Sequence, residues 1–152
     1  MSRIPAYGDY PLWAAALATR FPLALAEMRW PDPPRGLEAT ALANWGIECH
    51  SGWQFIIERM LMELEVAIAG RPPECRPDLR IVQMKEKFGG LRVYLAGDAT
   101  PEMDRAIEDA VARSTTTCDV CAAPGRLAER QGWWATRCES HEDWTPDRLI
   151  RD

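Results

Sequence analysis

Long apolar runs are missing from this sequence. No stretch approaches the roughly 20 residues that span a bilayer, and the opening MSRIPAYGDYPLW has none of the charged-then-apolar order of a secretion signal. A cytoplasmic protein with no membrane partner is expected. An excess of positive charge is missing too: 18 Lys and Arg stand against 23 Asp and Glu, for a net charge of -5 and a pI near 5.1. That balance excludes wholesale attraction to nucleic-acid phosphates or anionic lipids and leaves room only for a local basic patch. A neutral or basic partner surface suits it better.

Repeats and low-complexity segments are also absent, and hydrophobic residues (47%) and charged residues (27%) stand at ordinary globular proportions. A largely disordered chain is thereby excluded, and 152 residues suit one core with a small appendix. The five cysteines form no even framework, because Cys49 and Cys75 stand alone. A disulfide scaffold is not expected, and in a reducing compartment the other three invite a metal.

What is present begins with helical periodicity. Residues 10–27 read as one helix or two short ones, with Leu12, Trp13, Ala16 and Leu17 apolar at helical spacing and Pro22 breaking the pattern. RWPDPPRG must be an extended connector, since consecutive helix there would lack donors and clash. SGWQFIIERMLMELEVAIAG is the strongest helix, with Ser51 as N-cap, Gln54 completing a capping box and Gly70 closing it. Trp53, Ile57, Met60, Leu61, Leu64 and Ile68 make its core stripe, and the glutamates, Glu58 and Glu65 among them, its solvated face.

LRIVQMKEKFGGLRVYLAG reads as a β-hairpin turning at Gly89-Gly90, with Val82, Met84, Leu91, Val93 and Leu95 able to cover that helix. Thr100 as N-cap and Pro101 at the first helical position start another amphipathic helix carrying Met103, Ala106, Ile107, Ala110 and Val111. An α+β fold follows, with amphipathic helices packed on a small antiparallel sheet. Three segments are expected: a helical arm and connector (1–43), a helix, hairpin and helix body (44–116), and a metal-binding lobe (117–152).

The lobe is CDVCAAPGRLAERQGWWATRCESH. Cys118 and Cys121, then Cys138 and His141, repeat a two-residue gap across sixteen intervening residues. Two such pairs can converge on one tetrahedral ion, and three thiolates with one imidazole suit Zn2+. Four protein ligands leave no open position, which favours a structural zinc over a catalytic one. Two short strands around Gln131-Gly132 and a final helical turn would make a treble-clef-like or ribbon-like unit. The alternatives are reduced buried cysteines with an unrelated histidine, or a disulfide between two of the three. A zinc deaminase is excluded, because no H-x-E precedes the cysteines and threonine, not proline, precedes Cys118.

Lys85, Lys87 and Arg92 gather around the glycine turn of KEKFGGLR, as an anion site or as the charged outer face of a hairpin; the P-loop pattern is missing. Trp133, Trp134 and Trp144 lie in or beside the lobe, either as binding anchors or as filling for a small core. In a strand, one of Trp133 and Trp134 should face outward. Cys49 and His50 are adjacent in sequence and have no orienting third group, so a structural role is expected.

Together, Gly52-Trp53, QMKEKFGGLRVY and CDVCAAPG through GWWATRCESH resemble a family of small uncharacterised bacterial and phage proteins. These join a GW helix, a KEKFGGLR hairpin and a C-terminal Cys-pair motif. The resemblance spans residues 45–141 and implies a bacterial or phage setting and a zinc site, with no implied reaction. No persuasive catalytic constellation is present. The expectation is a zinc-stapled module that binds another protein, as an inhibitor or immunity protein would. The alternative is a nucleic-acid-binding regulator using a local basic patch of Lys85, Lys87, Arg92, Arg126, Arg130 and Arg137.

Overall fold

The computed structural model describes residues 10–29 and 36–142. The chain is α+β, and its axis is the helix α3 (Gln54–Ala69). Trp53, Ile57, Met60, Leu61, Leu64 and Ile68 are all buried, which is the expected stripe. Each such side chain withdrawn from water contributes about 1.5–3 kcal/mol. The start of the helix differs from expectation: Ser51–Trp53 forms a 3-10 turn, and the α-helix begins after it with no side-chain cap on Trp53. That tighter turn seats the Trp53 indole under the C-terminal lobe, where its Nε1 donates to the Thr117 carbonyl at 2.9 Å.

The hairpin that covers α3 is β2 (Arg80–Lys87) with β3 (Gly90–Ala96). The turn falls one residue earlier than the paired glycines suggest, at Phe88 and Gly89, with φ of 53° and 81°. Positive φ at both central residues is the two-residue turn whose twist matches a hairpin, and Gly90 is thereby released to pair with Lys87. An irregularity in pairing between Ile81 and Gln83 lets Ile81 and Met84, three apart, both face the core. Val82 is only half-buried for the same reason. A two-residue strand β1 (Ile47–Glu48), which follows the short helix α2 (Ala41–Trp45), pairs parallel to β2 and makes a third strand that periodicity cannot reveal.

Helix α4 (Pro101–Ser114) starts as expected, with the Thr100 hydroxyl accepting from Met103 N at 3.2 Å. It packs on α3 and β3. Its last buried residue, Ser114, receives the Leu91 N–H at 3.0 Å and so ties helix to hairpin.

The N-terminal segment, read from sequence as an arm, enters the same core. Helix α1 (Leu12–Arg20) buries Ala14, Ala15, Leu17 and Ala18, while Leu12, expected on the apolar side, is 85% exposed. Phe21, Ala24, Leu25 and Met28 continue into the core, the last in a 3-10 turn (Ala26–Met28) beyond Pro22. Residues 30–35 of the proline-rich connector lie outside the described residues.

Two glutamates expected on a solvated face of α3 instead hold this segment in place. Glu65 accepts the backbone N–H groups of Leu23 (2.9 Å) and Ala24 (2.8 Å), and Glu58 pairs with Arg20 at 3.0 Å. Glu65→Ala should cost about 2 kcal/mol, because two donors lose a charged acceptor. Glu58→Ala should cost less than ~1 kcal/mol, since that pair lies at the surface with Arg20 half exposed. Urea denaturation of both variants measures the contrast, and equal losses would refute it.

Candidate metal centre

The lobe begins where α4 ends. Cys118 N donates to Ala123 O at 2.8 Å and Ala122 N to Cys118 O at 3.0 Å, folding the first cysteine pair into a tight knuckle with Ala122 at φ 70°. Strands β4 (Arg126–Arg130) and β5 (Trp133–Arg137) then form the expected hairpin around Gln131 and Gly132. A 3-10 turn (Glu139–His141) carries the last ligand back, with His141 N donating to Cys138 O at 3.0 Å.

One donor atom from each of Cys118, Cys121, Cys138 and His141 lies within 4.8 Å of all the others. Cys121 Sγ and Cys138 Sγ are 3.6 Å apart, and His141 Nδ1 lies 3.6 Å from Cys118 Sγ and 3.2 Å from Cys138 Sγ. A metal–sulfur bond of about 2.3 Å in tetrahedral geometry demands a sulfur–sulfur edge of about 3.8 Å. The separations fit four ligands around one ion. They exclude a disulfide, whose sulfurs stand about 2.05 Å apart, and all five cysteines are free. Partial burial pushes the Cys138 thiol up, but hydrogen bonds from Cys121, His141 and Cys118 outweigh it and hold it at about 7. A thiol held there gives up its proton to a cation readily.

Beneath the ligands lies a group that sequence reasoning missed. Asp119 and Arg137, each next to a ligand in the chain, form a buried ion pair at 2.5 Å with 4% and 5% of their side chains exposed. Burial pushes the Asp119 carboxyl up to about 6, against the pull of Arg137 and His141. The pair clamps the two halves of the centre together, aided by Asp119 N donating to Thr136 O at 3.1 Å. Opposite charges immediately beside two of the clustered cysteines were the available signal.

The lobe is fastened to the body at two glycines. Gly52 N donates to Asp119 O at 2.9 Å, and a Cβ at Gly52 would lie 2.4 Å from that carbonyl and 2.5 Å from Cys118 O. Only hydrogen fits. At Gly89, the carbonyl accepts from Thr136 Oγ1 at 2.7 Å, and a Cβ would lie 2.4 Å from Leu127 Cδ1. The tip of the β2–β3 hairpin therefore rests directly on β4–β5. Glu86 lies on the core side of β2, two residues from Met84, and its Oε1 accepts from Gly89 N at 2.7 Å. Burial pushes its carboxyl up.

The other expected residues separate. Trp133 and Trp134 are 40% and 41% exposed; both strand faces are wet near the hairpin tip, so both tryptophans are partly outward where one was expected. Trp144 lies outside the described residues. Lys85, Lys87 and Arg92 share one face of the hairpin, Lys85 opposite Arg92, with Lys87 Nζ 5.5 Å from the Phe88 ring centroid. Cys49 and His50 are buried, and burial pushes the Cys49 thiol well up, away from nucleophilic use.

The class defined by this fold and site is an α+β protein with a C-terminal cysteine–histidine cluster able to hold a metal ion. No family model, curated protein or solved structure matches the chain. Among the described residues, no helix is long and apolar enough to cross a membrane.

Proposed function

We propose that this chain is a cytoplasmic zinc-stapled module that acts by binding another protein, as a bacterial or phage inhibitor or immunity protein does. The observation that carries the reading is a set of exposed apolar side chains around the place where the β2–β3 tip rests on β4–β5. Phe88 (66% exposed) stands next to Gly89 in the turn, and Leu127 (37%), which meets Gly89, shares one face of β4–β5 with Trp134 (41%), with Trp133 (40%) on the other face. Apolar side chains held out by a rigid frame are the raw material of binding hot spots. The net charge of -5 favours a partner with a basic surface.

Zinc supports this role as a staple. Three thiolates and an imidazole are the donor set zinc prefers, and with all four positions filled by protein no site is left for water or substrate. Binding rather than catalysis is the fitting use.

The nucleic-acid reading draws on the shared face of Lys85, Lys87 and Arg92. It is weakened in the lobe, where Arg137 is engaged by Asp119, and Arg126 and Arg130 lie 3.8 and 3.5 Å from Glu142.

Capture from bacterial lysate with tagged protein, with and without nuclease, tests both readings. A protein retained through nuclease treatment should bind Trp134→Ala or Trp133→Ala about 30-fold more weakly, with metal content and melting unchanged. Undiminished affinity in both variants would remove this surface. Retention lost to nuclease, and to Lys85 and Lys87 replacement, would favour nucleic acid instead.

A further inference from the structure

Helix α3 carries a second apolar stripe that its core does not use. Phe55, Met62 and Val66 are 72%, 53% and 75% exposed, and with Arg59 they follow one another at steps of three and four along one face. Met62 and Val66 line a groove of about 830 Å³ between α3 and α4. This face lies outside the metal centre and the hairpin tips. A helix apolar on two sides buries the second against something.

The rim of the groove indicates what. Arg59, Glu63 and Arg71 border it on the α3 side, and Glu102, Arg105 and Asp109 on α4. The six charges sum to zero in a chain of net charge -5, and of the six only Asp109 is held in an ion pair among the described residues, with Arg113 at 2.9 Å. A strongly acidic or strongly basic partner would match one sign and desolvate the other unpaired. A surface with the same alternation matches both. A second copy supplies it, because a two-fold axis sets this same alternation of arginines and acids against itself and every contact occurs twice.

We propose that the α3–α4 face is the interface of a homodimer, in which α3 and α4 of two copies form a four-helix layer with Met62 and Val66 at its centre. The two metal lobes would then belong to one bivalent particle.

Sedimentation of the full-length, metal-loaded chain from low to several hundred micromolar tests this. A reversible dimer is expected. Val66→Glu should weaken it by about tenfold or more while leaving circular dichroism and melting unchanged, since that side chain is exposed in the monomer. Arg59→Glu should weaken it as well, and Arg59→Glu combined with Glu63→Arg should restore it. A chain that stays monomeric throughout, or a dimer indifferent to both single variants, overturns the proposal. So does a monomer whose groove binds anilinonaphthalene sulfonate in a Val66-dependent way, which would assign the face to a small apolar ligand.

Discussion

Cys118→Ser is expected to abolish stoichiometric metal binding and to unfold the C-terminal lobe while the helical body stays folded. The lobe has almost no core of its own. Between residues 117 and 142 the only buried hydrophobic residues are Cys118 and Ala135, far too little apolar surface to offset the ordering of some two dozen residues at about 1–2 kcal/mol each. Structural zinc supplies about 10–16 kcal/mol in small zinc-dependent units, and that binding energy appears as folding energy. The wild-type chain should carry one zinc per molecule by elemental analysis. In Cys118→Ser, or after chelation, amide exchange in β4 and β5 should become fast, while α3, packed around Trp53 and Leu64, keeps its protection. A metal-free chain with an equally protected lobe would sink the staple. Acidification should act like chelation, because the thiols and His141 must lose their protons to bind.

Arg137→Met should destabilise the folded protein by about 3–5 kcal/mol, since it leaves the Asp119 carboxylate buried without its cation. Asp119→Leu removes the other partner and should cost a comparable amount. The double variant should lose far less than the sum, because an apolar pair of similar volume carries no uncompensated charge. Urea denaturation of the metal-loaded proteins completes the cycle. Strict additivity would mean that the two groups stabilise the centre separately and do not form a clamp.

Both predictions concern neighbouring residues, yet they differ in how readily the sequence reveals them. The ligands announce themselves by spacing: two pairs with a two-residue gap are a chemical pattern whatever surrounds them. Asp119 and Arg137 carry no such pattern. Either could face water, and only the closure of β5 over the knuckle brings Nε to Oδ1. Glu65 makes the same point on α3, where helical position suggests a solvated residue and two N–H groups from Leu23 and Ala24 make it an anchor. Leu12 and Ala16 are exposed where the apolar side of α1 was expected, and Ala14, Ala15 and Ala18 are buried with Leu17, because close packing of α1 against the core favours small side chains there over large ones. Gly52 reads in sequence as part of a helix start, and its need for a bare Cα arises from the Asp119 carbonyl, 67 residues further along the chain.

The sequence by itself determined the parts with short-range causes. Periodicity set the buried stripe of α3 and the apolar face of α4, Thr100 and Pro101 set where α4 begins, paired glycines marked a hairpin to within one residue, and ligand spacing defined the cluster. Each depends on side chains a few positions apart, whose relative directions follow from backbone geometry alone. Tertiary structure alone decided that the N-terminal segment shares the core, that β1 joins β2, that the hairpin tip bears on the metal lobe, and that α3 keeps a second apolar face. Those outcomes depend on contacts between distant segments, where burial and the pairing of charges outweigh local preference.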